Sequence, residues 1–168
     1  ANTQRGTGDM TLRWRSLKNG YRVLCGIVRE EAVDYSPQIT SPAVCKNMFM
    51  SYRQKHPELW PNEREAFVVA FLDNRYRVIA MHTVSIGSHR STTVEPMPVF
   101  RFAVMIGATA IVTAHNHPSG DPEPSKDDDA MTERLTEAGK ILGIEMLDHL
   151  IFGERSFYSY SDHKTNKL

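Results

Sequence analysis

Residues 109 to 143 spell a strand, a loop and a helix in that order, and no other stretch leaves this chain so few ways to fold. The run TAIVTA at 109 to 114 is apolar and rich in β-branched residues, as a buried strand requires. The following PSGDPEP, at 118 to 124, cannot extend that strand, because proline lacks the ladder N–H and glycine favours turns. Ser125 then stands at an N-cap position. Met131, Leu135, Ala138 and Leu142 recur on one helical face before Gly143, a residue suited to ending a helix.

The rest of the chain alternates in the same manner. Ser41-Pro42 opens a helix in the favoured N-cap and N1 order, with Val44, Met48 and Tyr52 repeating to about Lys55. Ala66 to Leu72 and the run RYRVIAMHTVSI at 75 to 86 form a hairpin that turns at Asp73-Asn74. A further helix is expected from Pro98 to Gly107, with Val99, Phe102, Ala103 and Ile106 on one face. MLDHLIF at 146 to 152 and SFYSY at 156 to 160 are the last strands, YRVLCGIV at 21 to 28 is a weak strand candidate, and SDHKTNKL at 161 to 168 reads as a polar tail. This order defines an α/β or α+β domain, a mixed β-sheet flanked by helices. The expected divisions are an N-terminal arm with an edge strand at 1 to 36, the domain at 37 to 160, and the tail at 161 to 168.

Chemistry concentrates where the strand before the loop ends. His115 and His117 lie two positions apart, so in an extended segment both imidazoles point the same way and can share one metal ion. Asp128 falls in the first turn of the helix capped by Ser125 and is placed to supply a third, harder ligand. Two neutral histidines and one carboxylate leave zinc with an open fourth position, the pattern of a catalytic site. Each residue also has a structural reading: an HxH pair can be two solvated histidines, and Ser125-x-x-Asp128 is close to a capping box. Ser125 can hold two jobs, accepting from a helix amide while its hydroxyl proton points outward to stabilise an oxyanion.

Taken together, EREAFVVAFLD at 63 to 73, VSIGS at 84 to 88, HNHPSGDPEPSKDD at 115 to 128 and LDHLIFG at 147 to 153 resemble the RadC family of the JAMM (MPN, Jab) metalloprotein superfamily. The resemblance covers about Asn62 to Tyr160 and departs at 95 to 100, where EPMPVF replaces a more basic and polar segment. It implies a single cytidine-deaminase-like, JAMM/MPN-type domain. It also implies Zn2+ held by His115, His117 and Asp128, and a glutamate acting as general base. Parity does not separate Glu63 from Glu65, but the family pattern places the acid directly ahead of the strand and favours Glu65. Ser125 is the other catalytic candidate, and the implied activity is hydrolysis of a peptide or isopeptide bond. The competing expectation is a non-catalytic, metal-stabilised interaction module, with DNA repair attached to the family name by association only. A nuclease or a deaminase is disfavoured, since nuclease HNH motifs are not contiguous and both HxE and PCxxC are missing. Asp148 and His149 can serve as structural groups or as partners of a ligand histidine, whereas His56, His82, His89 and His163 lack ligand spacing.

Composition sets outer bounds. The formal net charge of zero argues against broad nucleic-acid affinity. Residues 1 to 29 nevertheless carry six basic side chains against Asp9 alone, so a basic arm touching nucleic acid or another partner is the weaker option. The longest apolar stretch, FAVMIGATAIVTA, has 13 residues and is too short to cross a bilayer. Cys25 and Cys45 do not form a disulfide framework, and a cytoplasmic protein without membrane contact is expected.

Overall fold

A computed structural model describes residues 13–16, 22–25, 38–87 and 94–168, and the chain divides into two units, Ala1–Asp34 and Tyr35–Leu168. In the first unit the described residues form an antiparallel pair, β1 (Arg13–Ser16) with β2 (Arg22–Cys25), in which Arg13 faces Cys25 and Ser16 faces Arg22. The weak strand candidate at 21 to 28 therefore coincides with β2 in its middle. Most of the proposed basic arm lies outside the described residues, as does His89.

The second unit contains α1 (Pro42–Lys55), β3 (Ala66–Leu72), β4 (Val78–Ile86), α2 (Pro96–Ile106), β5 (Ala110–Asn116), α3 (Lys126–Leu142), β6 (Glu145–Phe152), β7 (Ser156–Ser159) and β8 (Lys164–Lys167). The strands form one six-stranded sheet in the order β4-β3-β5-β6-β7-β8. Within it β5 and β6 run parallel, joined by α3, and the other neighbouring pairs are antiparallel. This is the mixed, helix-flanked α/β sheet expected from the sequence.

Side-chain alternation decides which helix covers which face. Ala66, Val68, Ala70 and Leu72 of β3, with Ala110, Val112 and Ala114 of β5, pack against Cys45, Met48, Phe49 and Tyr52 of α1. The opposite parity, Phe67, Val69, Phe71 and Ile111, packs against Val99, Phe100 and Ala103 of α2 and Met131 and Leu135 of α3. Because β3 and β5 are covered on both sides, they read as unbroken apolar runs. His115 has the parity of Ile111, so it faces the α2 and α3 side.

Caps define the helix ends. The Ser41 side chain accepts from the Val44 amide with Pro42 in the first turn, as expected. Helix α2 begins at Pro96, two residues before the expected start, because both Pro96 and Pro98 fit in a first turn whose amides need no helical partner. Gly107 and Gly143 end α2 and α3, each at a left-handed φ of 69°.

Two expectations need correction. Leu142 is exposed, because the chain turns at Gly143 and Ile144 fills that end of the core. On the same helix Gly139 faces inward, where an added Cβ would lie 2.4 Å from the Ile144 carbonyl oxygen, so only glycine allows this approach. The supposed polar tail is also an element of the sheet, since Lys164 to Lys167 pair with β7 as strand β8. Its side chains at 164, 165 and 167 are exposed, so apolar alternation is missing from an edge strand blunted by lysines.

Candidate metal centre

Strand β5 delivers one histidine from inside the sheet and the other just past its end. His115 is fully buried, with Phe67 as its cross-strand neighbour and stacked ring, 6.2 Å between centroids. His117 lies on the same side, and its Nε2 is 3.0 Å from Nε2 of His115. Asp128 reaches in from the first turn of α3, with Oδ1 3.1 Å from His115 Nε2 and Oδ2 3.3 Å from His117 Nε2. Ligand atoms of the three residues lie within 4.8 Å of one another, a group able to hold a metal ion. The spacings approach the edge of a tetrahedron with metal–ligand bonds of 2.0–2.1 Å, about 3.3 Å.

The candidate ligands are held from behind. The His117 Nδ1–H donates to the Asp121 carbonyl at 2.7 Å, leaving Nε2 as the lone-pair nitrogen of the neutral ring. The Ser125 amide and hydroxyl donate to Asp128 Oδ2 at 2.7 and 2.6 Å, while the Asp128 amide donates to Ser125 Oγ at 3.2 Å. The capping box and the third candidate ligand thus share one carboxylate. The hydroxyl proton expected to point outward from Ser125 instead goes to Asp128, so in this geometry Ser125 fixes the carboxylate of a candidate ligand.

The electrostatics suit a cation. Burial lowers the pKa of His117, but hydrogen bonds to Asp128 and the Asp121 carbonyl, with the charges of Asp128 and Glu65, leave it raised above 6.5. Burial pushes Asp128 up, yet the close imidazoles of His115 and His117 and the hydrogen bond from Ser125 outweigh it and hold the carboxyl far below the usual range. Two nitrogen lone pairs 3.0 Å apart repel unless a proton or metal ion lies between them. Two imidazoles and a carboxylate are a donor set that zinc accepts.

The two candidate glutamates are separated by burial. Neither belongs to β3, which starts at Ala66, so strand parity never applied to them. Glu63 is exposed, whereas Glu65 is buried and its charge raises the pKa of His117. Sequence reasoning missed the residue that moors the segment bearing Glu65. Asn116, between the two histidines and of opposite parity, points to the other side of β5. Its Oδ1 accepts from the Ala66 amide at 3.0 Å, and its Nδ2 donates to the Arg64 and Pro61 carbonyls at 3.1 and 3.3 Å. The strand alternation that pairs the histidines also places this intervening asparagine against the Glu65 segment.

The pair at 148 and 149 divides its labour. Burial raises the pKa of Asp148, which accepts from the His149 and Ser161 amides and the Ser159 hydroxyl, tying β6 to the end of β7. His149 is fully buried, and its Nε2 lies 2.8 Å from His115 Nδ1. The loop between the histidines and α3 is anchored at Gly120, at φ +84°, whose carbonyl accepts from the Glu154 amide. A Cβ on Gly153 would lie 2.4 Å from that carbonyl oxygen, so the close approach needs glycine. The remaining described histidines lie away from the site: His56 beside Tyr52 and Glu58, His82 against Phe102, and His163 at a φ of 51° in the turn before β8.

A mixed sheet between helices, with His115, His117 and Asp128 converging where β5 meets α3, defines a JAB/MPN-type domain with a metal-site-like centre. The family model described as RadC-like JAB domain matches residues 39–165, and the chain belongs to that family. It is 42% identical over 125 residues to a UPF0758 protein of Alkaliphilus metalliredigens (strain QYMF), covering 74% of this chain and 51% of that protein. A UPF0758 protein of Methanosarcina mazei is 40% identical over 111 residues, 66% of this chain and 48% of its own length. One of Syntrophomonas wolfei is 50% identical over 97 residues, 58% of this chain and 41% of its own. The chain spans about half the length of these curated relatives. Among the described residues no helix is long and apolar enough to cross a membrane.

Proposed function

We propose that this domain is a zinc-dependent hydrolase acting on an amide bond of a peptide or protein, with His115, His117 and Asp128 as the metal ligands. When bound, zinc lowers the pKa of a coordinated water and polarises the scissile carbonyl. Asp128 supplies the negative ligand, fixed by Ser125, while the two histidines contribute neutral nitrogens. Glu65 is the general base: its carboxylate takes a proton from the attacking water and hands it to the departing amine. The observation that carries this reading is the burial of Glu65, whose flanking backbone is held by Asn116 and whose charge raises the pKa of His117. The cytoplasmic setting and any role in DNA repair belong to this proposal as expectations.

The test is a peptide and isopeptide cleavage screen of wild type and Glu65→Gln, with zinc content measured on the same samples. Wild type should cleave, while Glu65→Gln keeps its zinc and loses about 10²- to 10⁴-fold in turnover. Zinc-loaded wild type that cleaves nothing in the screen supports the non-catalytic module instead. Equal turnover in both proteins would remove Glu65 from the chemistry.

A further inference from the structure

His115 is a useful ligand only if its buried ring carries its proton on the nitrogen away from the site. The hydrogen bonds behind it determine which nitrogen that is. Thr132, on the second turn of α3, donates its one hydroxyl proton to the Asp128 carbonyl at 2.6 Å. Toward His149 Nδ1, 2.7 Å away, the same hydroxyl must therefore accept, so that nitrogen bears a hydrogen. With the hydrogen on Nδ1, the neutral tautomer of the fully buried His149 has Nε2 as a bare acceptor. His115 Nδ1, 2.8 Å from that Nε2, must then be the donor. The remaining nitrogen of His115, Nε2, is the one that faces His117 and Asp128.

We propose that Thr132 and His149 form a relay that fixes His115 as its Nδ1–H tautomer and so presents its Nε2 lone pair to the cation. The relay rests on the reading of His115 as a metal ligand and is independent of the hydrolytic reading. Ring rotation cannot scramble it easily, because His149 stacks on Tyr160 (5.2 Å between centroids, 5° between planes) and meets the edge of Phe67 (5.6 Å). The opposite His149 tautomer sets a bare Nδ1 against a hydroxyl oxygen whose proton is already committed. It also turns an N–H toward His115 Nδ1, which drives the second proton onto the nitrogen needed for metal. Because Thr132 bonds the Asp128 backbone as well, one hydroxyl serves two of the three ligands. Both are positioning residues, since neither reaches the ion.

The experiment is a Zn2+ titration against a chromophoric chelator at fixed, mildly alkaline pH, for the full chain and three variants, with thermal melts as a folding check. Thr132→Val removes the hydroxyl at constant shape and should weaken zinc binding about tenfold or more. Thr132→Ser restores the hydroxyl and should bind within about threefold of wild type. His149→Gln, whose side-chain oxygen can accept from His115, should retain more affinity than Thr132→Val. Equal affinities of the Val and Ser variants would overturn the relay. Independently of any variant's folding, long-range 1H–15N NMR of the zinc-free wild type at alkaline pH should show His115 protonated on Nδ1. A His115 protonated on Nε2 would refute the proposal. If wild type binds no zinc, the ligand reading falls, and the NMR tautomer still tests the relay by itself.

Discussion

Replacing Asn116 with alanine tests the coupling of the metal strand to the segment bearing Glu65. The side chain is 3% exposed and makes three hydrogen bonds, to the Ala66 amide and the Pro61 and Arg64 carbonyls. Ala66 is wholly buried, so its N–H would lose its partner where water does not reach, at a cost of about 1–3 kcal/mol. Pro61 and Arg64 are more open, and each lost bond there costs roughly 0.5–1.5 kcal/mol, because solvent partly replaces it. A total of about 2–6 kcal/mol follows, which for a chain of this size is a fall in Tm of roughly 4–24 °C. Asn116→Asp should be worse near neutral pH, since it aims a carboxylate oxygen at two carbonyls, and should recover as acid protonates it. Melts followed by circular dichroism, with zinc content measured in parallel, are the assay. Zinc should be retained, because the ligand side chains are untouched, while any turnover depending on Glu65 falls. An Asn116→Ala protein that melts within about 1 °C of wild type would refute this account of the mooring.

Three further outcomes are expected. Because the folded pKa of His117 is raised, the stability it gives the metal-free protein is fully present below 6.5 and fades as pH rises through the folded value. Metal must displace that proton, so zinc affinity should climb by up to about tenfold per pH unit across the same window, and isothermal titration in buffers of different ionisation enthalpy should detect the released proton. A flat pH response would contradict this. Ser125→Ala removes an N-cap worth about 1 kcal/mol and one donor to Asp128 Oδ2; a Tm lower by about 2–4 °C with weaker zinc binding in chelator competition is expected, whereas a loss of turnover alone would return Ser125 to an oxyanion role. Gly153→Ala places a methyl 2.4 Å from the Gly120 carbonyl oxygen and should displace the metal loop, read as a lower Tm together with weaker zinc binding; unchanged melting and affinity would show that the loop is not anchored there.

What could be read from the amino acids follows from where periodicity is strong. Strands β3 and β5 are covered on both faces and spell continuous apolar runs, so both were legible, as were α1 and α3 from their serine caps. The cluster was legible because i, i+2 parity and a capped first turn are local geometry, and the structure brings His115, His117 and Asp128 together as a group that could hold a metal ion. Strand β8 was hidden because an edge strand of Lys, Thr, Asn and Lys has no buried face to pattern. The roles of Asn116, Thr132 and His149 depend on contacts 50, 17 and 34 residues apart, which no local spacing encodes. Ser125 was placed correctly, but the direction of its hydroxyl proton is decided by a carboxylate oxygen 2.6 Å away.

Metal content per chain, measured on purified wild type, Asp128→Ala and Glu65→Gln, tests the centre itself. One zinc per chain in wild type and Glu65→Gln, with loss from Asp128→Ala, is the predicted partition. Zinc absent from wild type, or kept in full by Asp128→Ala, would contradict a site in which that carboxylate joins the two imidazoles around one ion.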